Sequence, residues 1–188
     1  MSGEDRDHWD ARYTDLGMAP ADAAIAPPVF ASFEALFPTR GRALELACGR
    51  GRGAIWLASR GMQVHGVDVS SVAIDLARQL ALRSGYADRC SFDVVDLDGG
   101  LPECAPVDLL LCHLFRDPRL DRAIIERVAP GGLLAVAVLS EVGAAAGRFR
   151  AAPGELRAAF GELERLVEGE GEGRAWLLGR RSHVEDVV

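Results

Sequence analysis

The residues best equipped for chemistry form one run, Glu45-Leu46-Ala47-Cys48-Gly49-Arg50-Gly51. An apolar stretch, Ala43–Ala47, leads into this glycine-rich turn, and Ile55, Trp56 and Leu57 follow on a helical pattern. Glycines at 49 and 51 let the backbone turn sharply and let a ligand press against it with no Cβ in the way. Asp68 closes the next apolar run, Gln63–Val67. A carboxylate there, in a βαβ unit, is placed to hydrogen-bond ribose hydroxyls. Its other possible duty is to cap the following helix, but Ser70 and Ser71 already supply a cap. Asp96 follows a third run, Ser91–Val95, so acids stand at three successive strand ends: Glu45, Asp68 and Asp96.

Two cofactors fit this much, a nicotinamide dinucleotide and S-adenosylmethionine. Gly49-x-Gly51-x-x-Ala54 can be written as the dinucleotide fingerprint. Against that, Glu45 would meet a pyrophosphate as an unwelcome carboxylate, whereas an ammonium group would be attracted to it. The chain has 188 residues, which leaves no room for the separate substrate domain usual in a dehydrogenase. An acidic, glycine-lined crevice suits a sulfonium nucleoside better. A small NAD(P)-binding oxidoreductase remains one alternative. A cofactor-binding regulatory protein that transfers nothing is the other.

The elements that must position these residues follow a βαβ rhythm from Arg42 onward. Strands are expected at Ala43–Ala47, Gln63–Val67, Ser91–Val95, Val107–Cys112 and Leu133–Leu139. Helices are expected at Gly53–Ser59, Ser71–Ser84, Arg119–Val128 and Pro153–Phe160. Upstream, Trp9 and Tyr13 are four apart, so a helix would put both rings on one face. Pro27-Pro28 opens a further helix with Val29, Phe30, Phe33, Leu36 and Phe37 as its apolar stripe. At the end, Glu162–Val167 and Arg174–Leu178 flank a Glu-Gly run that reads as the glycine-rich turn of an antiparallel hairpin. The expectation is a single α/β domain: 1–40 an N-terminal helical lid segment, 41–181 a Rossmann-like core, 182–188 a loose tail.

Composition narrows the function classes. Apolar residues make up 49% and charged residues 26%, the balance of a folded globular chain. The net charge of −7 speaks against a general basic surface for nucleic acid. Every basic residue is Arg, so no Schiff-base or P-loop lysine is available. Cys48, Cys90, Cys104 and Cys112 share no C-x-x-C spacing, and no His/Cys cluster has zinc-ligand spacing, so no metal is expected. No apolar run approaches the ~20 residues of a membrane span, and no basic-then-apolar signal opens the chain. A reduced, cytoplasmic protein is the expectation.

Taken together, these blocks resemble the class I S-adenosylmethionine-dependent methyltransferases over nearly the whole chain. The matching residues are Leu44–Gly51, Val64–Ser70, Phe92–Leu97, Val107–His113 and Ala129–Leu134. Trp9-x-x-Arg12-Tyr13, followed by Gly51–Ala58, is similar to the small bacterial tellurite-resistance and thiopurine methyltransferase-like group. The resemblance implies a doubly wound sheet of order 3-2-1-4-5-7-6 with strand 7 antiparallel. It also implies roles. Ala47, Cys48, Gly49 and Gly51 would lie under the methionine part, with Glu45 at its amino end. Asp68 would bind the ribose, Val69 would pack on adenine, Asp96 would face the adenine amino group and Leu97 would offer its N–H. Cys112 and His113 would lie beside the sulfonium, and Trp9 with Tyr13 would form a lid, the alternative being that their rings simply pack on the sheet edge. Ala47 departs from the family, which more often has glycine there.

The acceptor is expected to be a small molecule with a sulfur, oxygen or nitrogen nucleophile, and S-adenosylhomocysteine would be the second product. No Asn-Pro-Pro-aromatic motif follows the fourth strand, so nucleic acid is not expected, nor a membrane. A base is needed only for a protonated acceptor. His113 is the first candidate, because imidazole titrates near neutrality. Glu141, ending strand five, is the second. Arg116-Asp117 reads as a solvated loop pair, with orientation of an anionic acceptor as its alternative. Arg148 and Arg150 read as exposed loop residues or as contacts for an acidic substrate. A monomer or a homodimer is expected.

Overall fold

The computed structural model describes residues 3–20, 25–147 and 149–183. It divides into two compact units, Met1–Glu103 and Cys104–Val188. The N-terminal unit begins with α1 (Gly3–Leu16), which stacks Trp9 on Tyr13 with ring centroids 5.8 Å apart, as the four-residue spacing predicts. A run of 3₁₀ turns follows at Pro28–Leu36. An ordinary helix was the expectation there, but Phe30, Phe33 and Leu36 recur every three residues, the 3₁₀ period. Phe30 packs on Phe37, and Phe37 packs edge-on against Trp56 at 4.9 Å.

The rest of this unit is β1 (Arg42–Leu46), α2 (Arg52–Ser59), β2 (Gln63–Asp68), α3 (Ser71–Arg83) and β3 (Cys90–Val94). All three strands are parallel, with β2 between β1 and β3. β1 buries every residue after Arg42, and α2 buries Ala54 to Ala58 without a break. Gly66 faces Phe92 and Cys48 so closely that an added Cβ would come within 2.8 Å of the Phe92 ring.

The C-terminal unit contains β4 (Val107–His113), α4 (Asp121–Arg127), β5 (Val128–Ser140), β6 (Arg150–Ala151), α5 (Glu155–Ala159), β7 (Glu164–Gly171) and β8 (Arg174–Arg180). β4 runs parallel to β5, β8 is antiparallel to β5, and β7 is antiparallel to β8. Among the described residues the strand order is β3-β2-β1-β4-β5-β8-β7, with β6 beside β5. With the two-residue β6 left unnumbered, this is the expected 3-2-1-4-5-7-6 order with its antiparallel seventh strand. No helix among these residues is long and apolar enough to cross a membrane.

The Glu-Gly run departs from expectation. It is not a long turn but the end of β7, and only Glu172-Gly173 turns. Side chains alternate faces along a strand. Glu168 and Glu170 therefore share one face, where they meet Arg157 and Ser140. Gly169 lies on the other, under the Trp176 indole, where a Cβ would stand 2.1 Å from the ring. Glycine here makes room for tryptophan rather than for a bend.

Candidate functional site

The loop after β1 is held from beneath by its own strands. Cys48 N–H donates to the Val67 carbonyl, Gly51 N–H to the Cys48 carbonyl, and Ile55 N–H to the Gly51 carbonyl. Three of its residues take positive φ: Ala47 at 49°, Gly49 at 52° and Gly51 at 78°. The two glycines serve different ends. A Cβ on Gly49 would press on the Tyr13 hydroxyl at 2.8 Å, in the open cradle of the loop. A Cβ on Gly51 would collide with Ala77 at 2.9 Å, so that glycine lets α2 approach α3.

Asp68 sits at the end of β2, only 5% exposed. Its Oδ2 accepts from Gly49 N–H at 2.8 Å and its Oδ1 from Ser70 N–H at 3.0 Å. Burial raises its pKa, the N–H groups of Ser70, Gly49 and Val69 oppose that, and Asp10 adds to it. A carboxylate oxygen has two lone pairs, so each oxygen can accept once more. Ser70 is the N-cap of α3, its hydroxyl accepting from Ala73 N–H, which leaves Asp68 for other work.

Glu45 is 4% exposed within β1. Burial pushes its carboxyl up to about 8, opposed by the Ala54 N–H and helped by Asp68. Its Oε2 is buried without a hydrogen-bond partner among the described residues. Burying such an acceptor unsatisfied costs roughly 1–3 kcal/mol, a cost a bound cationic group would offset. Cys48, close by, keeps its proton because burial lifts its thiol well above the usual range.

Asp96 caps the short turn at Leu97–Gly99 by accepting from Asp98 N–H at 3.0 Å. Val69 and Leu97 are buried, each 2% exposed. Trp9 is half-buried, with the Arg12 guanidinium 5.6 Å from its ring. The sequence reading missed two contacts that seat α1. Asp10 accepts from the Ser70 hydroxyl and, at 3.4 Å, from Val72 N–H at the start of α3. Arg50 donates to the Leu16 and Gly17 carbonyls at the other end of α1. The helical spacing of Asp10, Tyr13 and Gly17 was the available signal. Burial, with Asp68 adding to it, keeps the Tyr13 phenol protonated well past its usual range.

In the C-terminal unit, Cys112 is buried near the end of β4 and its thiol points to the Phe115 carbonyl at 3.2 Å. His113 is half-exposed at the strand's last position, and Leu114 follows with φ 62°, a conformation rare for leucine. Glu141 is half-exposed just past β5, its N–H bonded to the Ala151 carbonyl. Arg116 is not the solvated loop residue expected. It is buried, bonded to Asp121 and Glu155, and unavailable to an acceptor. Asp117 is paired with Arg119. Arg148 lies outside the described residues, whereas Arg150 forms part of β6.

Residues 43–132 match the family described as "Methyltransferase domain". The tRNA 5-carboxymethoxyuridine methyltransferase of Escherichia coli is 35% identical over 107 residues, 53% of this chain and 40% of that protein. Among solved structures, TehB from Haemophilus influenzae superposes with a TM-score of 0.72 at 18% identity, over 94% of this chain and 67% of that one. The magnesium protoporphyrin IX methyltransferase of Synechocystis, solved with S-adenosylhomocysteine, gives 0.72 at 16% identity, over 94% of this chain and 97% of that one. The chain spans less than half the length of the curated relatives it matches.

Proposed function

We propose, from a chain whose residues 43–132 match a methyltransferase domain, that the protein is a class I enzyme that transfers a methyl group from S-adenosylmethionine to a small molecule. The observation that carries the reading is the loop after β1. There a carboxylate with an unpartnered oxygen, Glu45, and a second one bonded to Gly49 N–H, Asp68, are buried together. A cationic amino-acid end and a ribose are the two groups such a pair suits. NAD(P) would bring a pyrophosphate to Glu45 instead.

When bound, S-adenosylmethionine supplies a methyl group on a positively charged sulfur and leaves as S-adenosylhomocysteine. The chain's own residues bind, orient and shield. Asp68 accepts from the ribose hydroxyls and Glu45 faces the amino end. Ala47, Cys48, Gly49 and Gly51 form the bed of the methionine part. Val69 and Leu97 bound the adenine, and Asp96 accepts from its amino group. Trp9 and Tyr13 close over the loop, seated by Asp10 and Arg50. Holding nucleophile and methyl in line can supply roughly 7–11 kcal/mol. For a hydroxyl acceptor, His113 takes the proton at a ring nitrogen, with Glu141 the second candidate. Cys112 is an apolar lining residue.

We read the chain as one methyltransferase domain, cytoplasmic and monomeric or homodimeric. The relative acting on tRNA favours a second reading, an RNA acceptor. The net charge of −7 opposes it, because phosphate binding needs a basic surface.

The test is a thermal-shift comparison of S-adenosylmethionine, S-adenosylhomocysteine, NAD and NADP. At a hundred times its dissociation constant a ligand adds about 2.7 kcal/mol, a rise on the order of 5–10 °C for this size. A rise with the sulfur nucleosides alone is the expected result. A rise with NAD or NADP overturns the reading. Tight binding without turnover on any acceptor marks a regulatory protein.

A further inference from the structure

We propose that Arg150 recognises the acceptor and that the acceptor carries a carboxylate. This deepens the methyl-transfer reading and rests on it, since it takes the C-terminal ends of β4 and β5 as the acceptor side. The carrying observation is a shared strand edge. β8 holds one edge of β5 from Leu133 to Leu139. β6, paired at Leu139 and Ser140, therefore lies on the other edge, which β4 occupies up to the pair His113↔Ala137. Arg150 pairs with Leu139, two residues beyond Ala137. Two residues of strand span roughly 7 Å and return to the same face. His113 and Arg150 thus start from one sheet face, one strand repeat apart.

The arginine is anchored without being neutralised. Its Nη1 donates to the Ser140 carbonyl at 2.7 Å and to the Gly173 carbonyl at 3.1 Å. Gly173 lacks a Cβ where one would stand 3.3 Å from this nitrogen. Both partners are neutral carbonyls. Elsewhere in this unit Arg116, Arg119 and Arg157 are each consumed by carboxylates. A guanidinium has five N–H donors, so among the described residues the Nε–Nη2 edge of Arg150 keeps three in the fork that matches a carboxylate. The side chain is half-exposed, so this edge is within reach of a ligand. Glu141 and Glu172 lie next in sequence to the two anchoring carbonyls. Their charges disfavour a phosphate dianion more than a singly charged carboxylate.

The experiment uses the full chain saturated with S-adenosylhomocysteine. Phenylacetate, phenylacetamide and phenyl phosphate are titrated in turn while the arginine Nε–H signals are followed by NMR. The Arg150 signal is assigned by its loss in Arg150→Lys. Phenylacetate should move that signal saturably, the amide should not, and phenyl phosphate should bind more weakly. Arg150→Lys keeps the charge but loses the fork, and should weaken phenylacetate about tenfold with S-adenosylhomocysteine affinity unchanged. Arg150→Gln should do at least as much. If the glutamine variant does not fold, the lysine variant decides. No saturable response, or equal affinity in wild type and Arg150→Lys, overturns the proposal, as does tighter binding of phenyl phosphate. Failure of the wild type to bind S-adenosylhomocysteine would bring down the methyl-transfer reading itself.

Discussion

The two units treat their buried and partly buried acids in opposite ways. Around the loop after β1, Glu45 and Asp68 are buried with no arginine ion pair among the described residues, they accept from main-chain N–H groups, and burial raises the pKa of both. In the C-terminal unit, Asp121 and Glu155 converge on Arg116, whose side chain is 7% exposed and which also lies 5.9 Å over the Phe160 ring. One arrangement leaves acceptors unspent at a cost to stability, and the other neutralises them. On the function proposed above, the acids without cations are where a ligand brings the charge; the acids with cations tie loops to helices.

The contrast can be broken most decisively at Asp68. Asp68→Ala should weaken S-adenosylhomocysteine binding by roughly a hundredfold or more, at about 1.5–3 kcal/mol for each hydrogen bond to a charged acceptor. Calorimetric titration checks this, and retained affinity removes the ribose assignment. Arg116→Met should do the reverse. It strands two partly buried carboxylates and should lower stability by about 3 kcal/mol in urea melts, leaving cofactor affinity unchanged.

The pH response sharpens the comparison further. Glu45 has a folded pKa of about 8 against an ordinary 4.5. The unfolded chain therefore loses this proton first as pH rises. The stability linked to Glu45 is fully present below about 4.5, falls between 4.5 and 8, and is gone above 8. Glu45→Gln should flatten that decline, by up to about 1.4 kcal/mol per pH unit, in denaturation curves across the window. An unchanged slope would show that Glu45 is not the group responsible. The smallest effect is expected at Ala47, whose φ of 49° strains an L residue. Ala47→Gly should raise stability by about 0.5–1 kcal/mol, read as a small increase in melting temperature.

Much of the fold was legible in the residues. The apolar runs, the caps and the glycine punctuation placed β1, β2, β3 and β4 within about two residues; β1, β2 and β4 are buried parallel strands, which read as nearly continuous apolar runs, whereas β3 at the sheet edge buries only Phe92. The Glu-Gly run misled, since its composition matches a turn while its alternation matches a two-faced strand. Only the Trp176 ring over Gly169 separates the two. The start of β5 was hidden for a related reason. Ala129 to Gly132 fall in the irregular stretch between the pairs Val107↔Val128 and Leu109↔Leu133, and Pro-Gly-Gly reads as a break.

The sequence by itself determined the glycine loop, the acids at three strand ends and the order of elements, because these depend on residue type and near spacing. Tertiary structure alone decided which charges are spent. Arg116 and Arg150 both read as loop arginines, yet one is enclosed by two carboxylates and the other is hung from two carbonyls with a free fork. Asp10 and Arg50 likewise became the seats of α1 only through partners 60 and 34 residues away. Electrostatic roles belong to pairs of groups, and pairing across such distances is set by the packing of elements rather than by any local run of residues.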